Sequence, residues 1–282
     1  MNKKQVKITA WTVGILVVIA GILVIRNQNS GKSTSGHKRV VNVAHTQDYV
    51  PYDYVKDGVS QGYEVDVLKA VNKLLPQYEF KYHPTSDEDL LVGLDSGKYD
   101  IGTKGAWKTK ERAKKYILPK QADGASIIGI TYRKDSNYQS FEDFAKQSGK
   151  LVPISPQNGQ YNVIQQWNKD HPKEKIDLKS ADQFTVGDAY NWVKEGRYDA
   201  YLDVKVSYQE SIKKNESDAQ QLAYLPYKGI ETYPIISRSN PKNKQLADDY
   251  DKAIEKLKKN GTLAKLSQKY FHENVWDFVG NK

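Results

Sequence analysis

Two segments of the sequence, 99 residues apart, bring opposite charges to equivalent positions. SDEDLLVGLDSGKYDI begins at Ser86 and TVGDAYNWVKEGRYDA begins at Thr185, and the fourth residue beyond each Tyr-Asp pair is charged, Lys104 in one copy and Asp203 in the other. In open α/β sheets, ligands bind beyond the carboxyl ends of the strands. The two copies therefore predict a cleft between two similarly built lobes, with a cation from one and a carboxylate from the other. A zwitterion would suit that cleft.

Each copy has the pattern of a helix followed by a strand. A hydroxyl residue, Ser86 or Thr185, precedes an acidic residue by three positions, which is typical of a helix N-cap. Gly97 or Gly196 then follows the helical stretch, as expected of a residue that ends a helix in a left-handed conformation. The repeat therefore predicts two helix–turn–strand units that would place Lys104 and Asp203.

The same alternation extends over the chain from Val40 onward. Short apolar runs suited to strands occur at Val40–Ala44, Ile127–Tyr132 and Leu151–Ile154, and helix-like segments separate them. One such helix is predicted to begin near Gly159. Alternating strands and helices predict an α/β fold.

The residues needed for several other chemistries are missing or isolated. The chain has no cysteine, and its five histidines are scattered without metal-ligand spacing. Ser-x-x-Lys occurs at Ser35–Lys38 and Ser211–Lys214, but neither has the partner motifs of an acyl-transfer site, and no phosphate-binding Gly-x-x-x-x-Gly-Lys is present. We therefore predict no catalytic residues, no metal and no cofactor.

The formal charge of +9 is concentrated at the N-terminus. Seven basic residues and no acidic residue lie in the first 39 positions, so the remaining sequence carries 36 basic against 34 acidic residues. Proteins that bind nucleic acids need a basic patch that follows the phosphates. A nearly neutral remainder argues against a nucleic-acid partner.

An uncharged stretch runs from Ile8 to Ile25 between Lys7 and Arg26. Eighteen helical residues rise about 27 Å, enough to cross the hydrocarbon core of a membrane. The lysines before the stretch favour a cytoplasmic N-terminus. We predict a membrane anchor in residues 1–26 and a flexible linker in residues 27–39, with everything beyond on the extracytoplasmic face. A cleaved signal peptide is the alternative.

From Val40 to about Val279 the chain resembles the polar amino acid group of the solute-binding proteins of ABC importers. The matching stretches are DYVPYDY, GYEVDVLKAV, GLDSGKYDI, TKERAKKY, GRYDAYLD and KAIEKLKKNGTLAKLSQKYF. The resemblance implies a two-lobed periplasmic-binding-protein-like fold with a ligand cleft between the lobes. Lobe 1 would comprise residues 40–132 and 229–282, and lobe 2 residues 133–228. It also implies a monomer that closes around a free amino acid and docks on a permease.

The resemblance assigns roles to individual residues. Arg112, in the Thr-x-Glu-Arg motif, would hold the α-carboxylate of the ligand, and Asp203 would hold its α-ammonium group. A guanidinium suits the first role because it forms two parallel hydrogen bonds to a carboxylate. Tyr49 and Tyr52 would cover the ligand side chain. The alternative for Arg112 is a solvated charge in a helix that Thr109 caps.

Further contacts are expected from two loops. Gly105 and Trp107 lie before the Thr-x-Glu-Arg motif, and Asn158, Gly159 and Gln160 lie where the family has a helix N-terminus facing the ligand carboxylate. The sequence departs from the family at both loops, since KGAWK replaces a segment often rich in serine and threonine, and no hydroxyl residue accompanies Gly159. Trp107 would either stack on the ligand or seal the lobe.

Two other classes of function remain open at this point. An enzyme of the same fold, similar to cyclohexadienyl dehydratase, would need a general acid or base beside the ligand, and His45 is the only histidine near the first loop. An amino-acid sensor would need a separate signalling partner. We predict a binding protein, not an enzyme. The sequence suggests cystine as ligand, while glutamine, histidine and basic amino acids are not excluded.

Overall fold

The computed structural model describes residues 38–280 apart from residues 157, 182 and 183. Residues Arg39–Lys282 belong to one compact unit. The predicted anchor, residues 1–26, and residues 27–37 of the predicted linker lie outside the described part of the chain. Among the residues that are described, no helix is both long and apolar enough to cross a membrane.

Strands of the described residues are numbered in chain order. They are β1 (Arg39–Thr46), β2 (Asp48–Tyr49), β3 (Asp53–Lys56), β4 (Val59–Gln61), β5 (Tyr78–Thr85), β6 (Ile101–Thr103), β7 (Gly124–Arg133), β8 (Ala200–Val204), β9 (Leu222–Thr232) and β10 (Ile235–Ile236).

The α-helices of the same residues are numbered in the same way. They are α1 (Tyr63–Leu74), α2 (Asp87–Ser96), α3 (Lys110–Lys115), α4 (Phe141–Lys146), α5 (Gly159–Asp170), α6 (Val186–Lys194), α7 (Lys205–Lys214), α8 (Glu216–Gln221), α9 (Asn243–Lys259) and α10 (Thr262–Phe271). A 3-10 helix follows at Val275–Phe278. The predicted α/β composition is confirmed.

The first sheet has the strand order β10-β6-β1-β5. Its central strand β1 runs parallel to β5 and β6, and β10 lies antiparallel to β6. Val41 and Val43 of β1 are fully buried and join Leu68 of α1 and Tyr250 of α9 in one hydrophobic core. We call this sheet with its helices the first lobe.

The second sheet has the order β8-β7-β9, and its strand pairs are antiparallel. It packs on α4 and α5 through a separate core that contains Phe144 and Trp167. The predicted strand at Leu151–Ile154 is reduced to a single parallel bridge between Leu151 and Ala200. We call this sheet with its helices the second lobe, so the predicted two-lobed fold is confirmed.

Two long strands connect the lobes. β7 pairs with β9 from Gly124 to Arg133, with a register shift between Ile128 and Gly129. Ile127 belongs to the core of the first lobe, whereas Ile128 belongs to the core of the second. The core therefore changes a few residues before the predicted boundary between lobe 1 and lobe 2 at residues 132 and 133. A continuous ladder can cross between lobes because each strand of the pair satisfies the backbone hydrogen bonds of the other.

The predicted repeat is present in three dimensions. Ser86 caps α2 by accepting a hydrogen bond from Asp89 N–H, and Thr185 caps α6 through Asp188 in a reciprocal capping box. Gly97 and Gly196 follow with φ values of 79° and 73°, in the left-handed region that glycine adopts without strain. Both helix starts and both glycine turns agree with the prediction.

Candidate functional site

A cleft of about 740 Å³ lies where the two lobes face each other. The first lobe contributes Tyr49 and the segment from Gly105 to Arg112, and the second contributes residues near the start of α5 together with Val204. The lining residues are Tyr49, Gly105, Trp107, Thr109, Glu111, Arg112, Pro156, Asn158, Gly159, Gln160, Asn162 and Val204.

The structure brings together most of the residues predicted for the site. Tyr49, Gly105, Trp107, Arg112, Asn158, Gly159 and Gln160 line the cleft, whereas Tyr52 and Asp203 do not. Thr109 and Glu111 were not predicted as lining residues, although they belong to the same Thr-x-Glu-Arg motif as Arg112. Asn162 was also missed, and its position one helical turn beyond Asn158 could have indicated it.

Arg112 supplies the cation of the cleft. Thr109 Oγ1 accepts a hydrogen bond from Arg112 N–H and caps the short helix α3. This contact holds the backbone from which the Arg112 side chain extends. Arg112 Nη1 donates to Trp107 O at 2.6 Å. No carboxylate of the described residues lies within ion-pairing distance of this guanidinium, which has five donor positions. It therefore keeps donors for an anionic ligand.

Burial sets the electrostatics of this group. Partial desolvation lowers the pKa of Arg112, and the negative charge of Asp87 acts in the opposite direction. An arginine remains protonated in proteins even so. A cation that has lost part of its hydration without gaining a carboxylate partner favours binding of an anion.

Tyr49 forms the aromatic floor on the first-lobe side. Its ring stacks on Tyr52 with the ring centroids 4.9 Å apart. A side chain at Gly105 would place its Cβ 2.9 Å from Tyr49 Cε1. The Tyr49 ring can occupy this position because residue 105 is a glycine. Burial, followed by the nearby carboxylates of Glu64, Asp203 and Asp53, raises the pKa of Tyr49. The hydroxyl therefore stays protonated.

Tyr52 supports this ring from behind the cleft. It is almost fully buried, and its hydroxyl donates to Ala125 O at 3.2 Å and lies 3.1 Å from Ser126 Oγ. These contacts tie the loop that carries Tyr49 to the beginning of β7. Tyr52 thus lies one layer below the lining.

Glu64 is a buried acid that sequence reasoning assigned no role. It lies in the first turn of α1, and its Oε2 accepts hydrogen bonds from Thr103 Oγ1 at 2.5 Å and from Gly105 N at 2.8 Å. Gly105 has a φ of 61°, so it adopts the left-handed conformation that turns its amide toward Glu64. Gly105 was predicted to contact the ligand, and its amide is bonded within the protein.

Trp107 reaches across to the second lobe. Its ring packs against the core that contains Phe144 and Trp167. A Cβ added at Gly159 would lie 2.6 Å from Trp107 Cε3, so the ring lies directly on the backbone where α5 begins. Trp107 therefore both lines the cleft and contacts the opposite lobe.

The N-terminus of α5 is already partly occupied by protein groups. Asn158 caps the helix, since its Oδ1 accepts from Gln160 N at 3.2 Å. The side chain of Gln160 donates from Nε2 to Leu202 O at 3.0 Å and is nearly buried. Asn158 therefore caps the first turn of α5, and Gln160 bonds this helix to β8. Gly159, which has no side chain, lets the ring of Trp107 lie close to the backbone of α5.

Asp203 is buried next to the lining residue Val204. Its carboxylate accepts hydrogen bonds from Tyr190 OH at 2.5 Å and from Val204 N at 2.7 Å. Desolvation raises the pKa of Asp203 to about 6, with these hydrogen bonds opposing the shift. The carboxylate is thus held in place inside the second lobe, 2% exposed, with no cation beside it among the described residues.

Lys104 does not face the cleft. Its ammonium group forms an ion pair with Asp87 at the start of α2. The repeat predicted that Lys104 and Asp203 would face each other across the cleft, and neither residue lines it. The positive charge in the lining is that of Arg112. The reason is that Asp87, which has no counterpart in the second copy, neutralises Lys104 within its own lobe.

Known proteins resemble this chain over almost all of its described part. Residues 41–273 match the model of bacterial extracellular solute-binding proteins, family 3. An L-cystine-binding protein TcyJ of Bacillus subtilis is 32% identical over 76% of this chain and 76% of its own length. An arginine-binding extracellular protein ArtP of the same organism is 27% identical, over 87% of this chain and 90% of its own length.

Solved structures show the same fold. A Streptococcus mutans chain from work on glutathione import through GshT and the cystine importer TcyBC has a TM-score of 0.61 and 29% identity, and the match covers 87% of this chain and 98% of that one. The probable amino-acid ABC transporter extracellular-binding protein ytmK of Bacillus subtilis has a TM-score of 0.66 and 25% identity, covering 83% of this chain and 97% of that one.

These matches extend through both lobes and include the strands and loops that build the cleft. They confirm the resemblance drawn from the sequence motifs and identify a substrate-binding protein rather than an enzyme. The chain belongs to the bacterial extracellular solute-binding proteins of family 3.

Proposed function

We propose that this protein is the substrate-binding component of an amino acid ABC importer, and that its cleft captures a free amino acid. The observation that supports this most directly is the partly desolvated guanidinium of Arg112, which lines a cleft between two lobes and has no carboxylate partner among the described residues. Relatives whose names state amino acid binding support the same function.

The ligand is gripped by opposite charges from the two lobes. Arg112 holds the α-carboxylate through paired hydrogen bonds, and Tyr49 lies under the side chain. Asp203, which directly precedes the lining residue Val204, receives the α-ammonium group on the side of the second lobe. An ammonium beside Asp203 favours its ionised form and replaces the hydration lost on burial.

Cystine is the amino acid we propose as ligand. The TcyJ and TcyK proteins of Bacillus subtilis, 32% and 27% identical to this chain, are named as L-cystine-binding proteins. Cystine is a zwitterion at each end, which agrees with an aromatic-lined cleft that contains an unpaired guanidinium. A basic amino acid is the second candidate, supported by the arginine-binding relative.

The location follows from the family and from the N-terminal sequence. Membership of an extracellular solute-binding family places the lobes outside the cytoplasm. We propose that residues 1–26 anchor them as a single membrane-spanning segment, that residues 27–39 form the linker and that the lobes span residues 40–132 with 229–282 and residues 133–228. A monomer then delivers its ligand to the permease. N-terminal sequencing tests the anchor, and a mature chain beginning near Asn29 would contradict it.

A thermal-shift screen of the purified protein against the twenty amino acids and cystine tests the binding function. A ligand that binds only the folded state stabilises it by about 2.7 kcal/mol at a hundredfold excess over its dissociation constant. We expect one strong stabilising ligand whose effect disappears in Arg112→Ala. If no member of the panel stabilises a folded protein, the amino-acid-binding function is wrong.

A further inference from the structure

The cleft continues past Trp107 into a second hollow. This hollow has a volume of about 190 Å³ and shares Trp107, Thr109, Gly159 and Asn162 with the main cleft. The two residues that distinguish it chemically are Lys108, next to Trp107, and Lys228 on β9. A ligand that begins at Arg112 and passes over Trp107 would therefore enter a region lined by two lysines.

Neither lysine is neutralised by the protein. Lys228 Nζ lies 5.0 Å from the centroid of the Tyr227 ring, and Lys108 Nζ lies 5.5 Å from that of Tyr233. No carboxylate in the described part of the chain is within ion-pairing distance of either ammonium. Burial lowers the pKa of Lys228 and Asp170 only partly opposes the effect, so the ammonium is less solvated than that of a surface lysine.

A third hollow, which shares Tyr49 with the main cleft, provides a contrast. It also measures about 190 Å³ and contains Glu210 and Lys214. Glu210 pairs with Lys213 at 2.8 Å and with Lys214 at 3.6 Å, so its charge is neutralised within α7. Of these two hollows, only the one beyond Trp107 is lined by two lysines that form no ion pair with a described carboxylate.

We propose that the hollow formed by Lys108 and Lys228 is a subsite for a second, distal carboxylate of the ligand. The ligand class is then amino acids that carry another carboxylate beyond a spacer, including disulfide-linked dimers, and amino acids with a cationic tail are disfavoured. This proposal rests on the proposed function, because Arg112 must first hold the α-carboxylate. The half-buried ammonium group of Lys228, together with the exposed one of Lys108, binds a carboxylate more strongly than a neutral or cationic tail.

A matched pair of probes tests the subsite by isothermal titration calorimetry. L-cystine and the mixed disulfide of L-cysteine with cysteamine differ in one carboxylate and are otherwise of similar length. We expect wild-type protein to bind L-cystine at least about tenfold more tightly than the mixed disulfide, as charge-assisted contacts of this kind imply. The double variant Lys108→Met and Lys228→Met should lose most of this preference, because methionine keeps the apolar stem and removes the charge.

Lys214→Met is the matched control, since it removes a lysine from the hollow that is already neutralised. It should bind both probes like wild type. Equal binding of the two probes by wild-type protein, or an unchanged preference in the double variant, would overturn the subsite. Tight binding of L-arginine in place of L-cystine would overturn the subsite and leave the amino-acid-binding function intact. Failure of wild-type protein to bind L-cystine, the mixed disulfide and L-arginine would overturn the subsite and cystine as the ligand, whereas the amino-acid-binding function fails only if the full thermal-shift panel also gives no ligand.

Discussion

The two copies of the repeat share their backbone and differ in what their side chains do. In the first lobe, Asp100 N–H donates to Asn42 O at 2.8 Å while its carboxylate accepts from Asn42 N at 3.0 Å. In the second lobe, Asp199 makes the same pair of contacts with Lys150, at 2.8 and 2.7 Å. An aspartate after the turn thus joins the helix–turn–strand unit to the neighbouring segment in both lobes.

The charges that follow the two strands have different partners. Lys104 pairs with Asp87, whereas Asp203 accepts a hydrogen bond from Tyr190. The positions equivalent to these partners are Val186 and Leu91, which can form neither contact. The repeat therefore specifies a scaffold, and the positions that do not repeat decide whether a charge is neutralised locally or kept for the cleft.

The largest expected effect concerns Arg112, which lies outside the repeat and supplies the positive charge that Lys104 does not. Arg112→Ala should cost about 2–5 kcal/mol of ligand binding, because the ligand carboxylate would lose its charged partner. Arg112→Lys should recover only part of this, since an ammonium lacks the two parallel donors. Calorimetric titration of both variants with L-cystine measures the loss. Normal binding by a folded Arg112→Ala protein would contradict the assignment.

The second prediction uses the buried carboxylate of the second copy. Because the pKa of Asp203 is about 6 in the folded protein and 3.8 ordinarily, the folded state retains the proton between these values, and stability falls as pH rises through this window. Relative to Asp203→Asn, the unliganded wild type should lose about 2.4 kcal/mol of unfolding free energy between pH 4 and pH 7. Urea denaturation of both proteins at each pH checks the difference. A difference that does not change with pH would show that Asp203 titrates normally.

Asp203 should also make ligand binding pH-dependent. The α-ammonium group needs an ionised partner, so affinity should decrease as pH falls below about 6. The Asn variant should bind more weakly throughout and lose this dependence. The same slope in both proteins would assign the titration to another group.

The shared scaffold is tested by Asp100→Ala and Asp199→Ala. Asp100→Ala should cost about 1–3 kcal/mol of unfolding free energy, because it leaves the half-buried backbone N–H of Asn42 without its acceptor. Asp199→Ala should cost about 0.5–1.5 kcal/mol, because water can replace the acceptor at the exposed N–H of Lys150. The first should cost more, since Asp100 also pairs with Arg39 at 2.9 Å while Asp199 lies 4.0 Å from Arg133. Urea denaturation measures both. A large loss in one lobe with none in the other would show that the two units are not structurally equivalent.

A smaller effect is expected where the lobes touch. Gly159→Ala should displace the ring of Trp107, whose Cε3 would lie 2.6 Å from the new Cβ, and should weaken binding by roughly tenfold, as a modest loss of packing implies. Gly187→Ala in α6 is the matched control, because its nearest neighbour would be Thr185 Oγ1 at 3.6 Å. If the steric contact is the cause, Gly159→Ala should weaken binding no further in a Trp107→Ala background than Trp107→Ala does alone. An additive loss in the double variant would contradict it.

The smallest effect is expected for Lys104→Met. Because Lys104 is paired with Asp87 and lies outside the lining, removal of its charge should change ligand affinity by no more than about threefold, the range of a partly exposed ion pair. Calorimetry with L-cystine measures it. A loss as large as that of Arg112→Ala would restore Lys104 as the anion-binding residue.

Local patterns predicted most of the scaffold correctly. The caps at Ser86 and Thr185 and the glycine turns depend on residues within a few positions of each other, so their geometry follows from short segments. The strand predicted at Leu151–Ile154 is only a bridge, since strand formation depends on distant partners that a local apolar run does not reveal. Seven of the predicted site residues line the cleft because they lie in short segments that come together where the two lobes face each other.

The sequence by itself determined the α/β alternation, the repeated helix–turn–strand unit and the family, because these depend on the spacing of residues and on the order of motifs along the chain. Only the tertiary structure decided which charges face the cleft. Asp87 neutralises Lys104, Glu64 accepts a hydrogen bond from the amide of Gly105, and Lys108 lines the same hollow as Lys228 of β9. Such pairings join residues far apart in the chain, and the energy of a charge depends on its neighbours and its burial, which no short segment specifies.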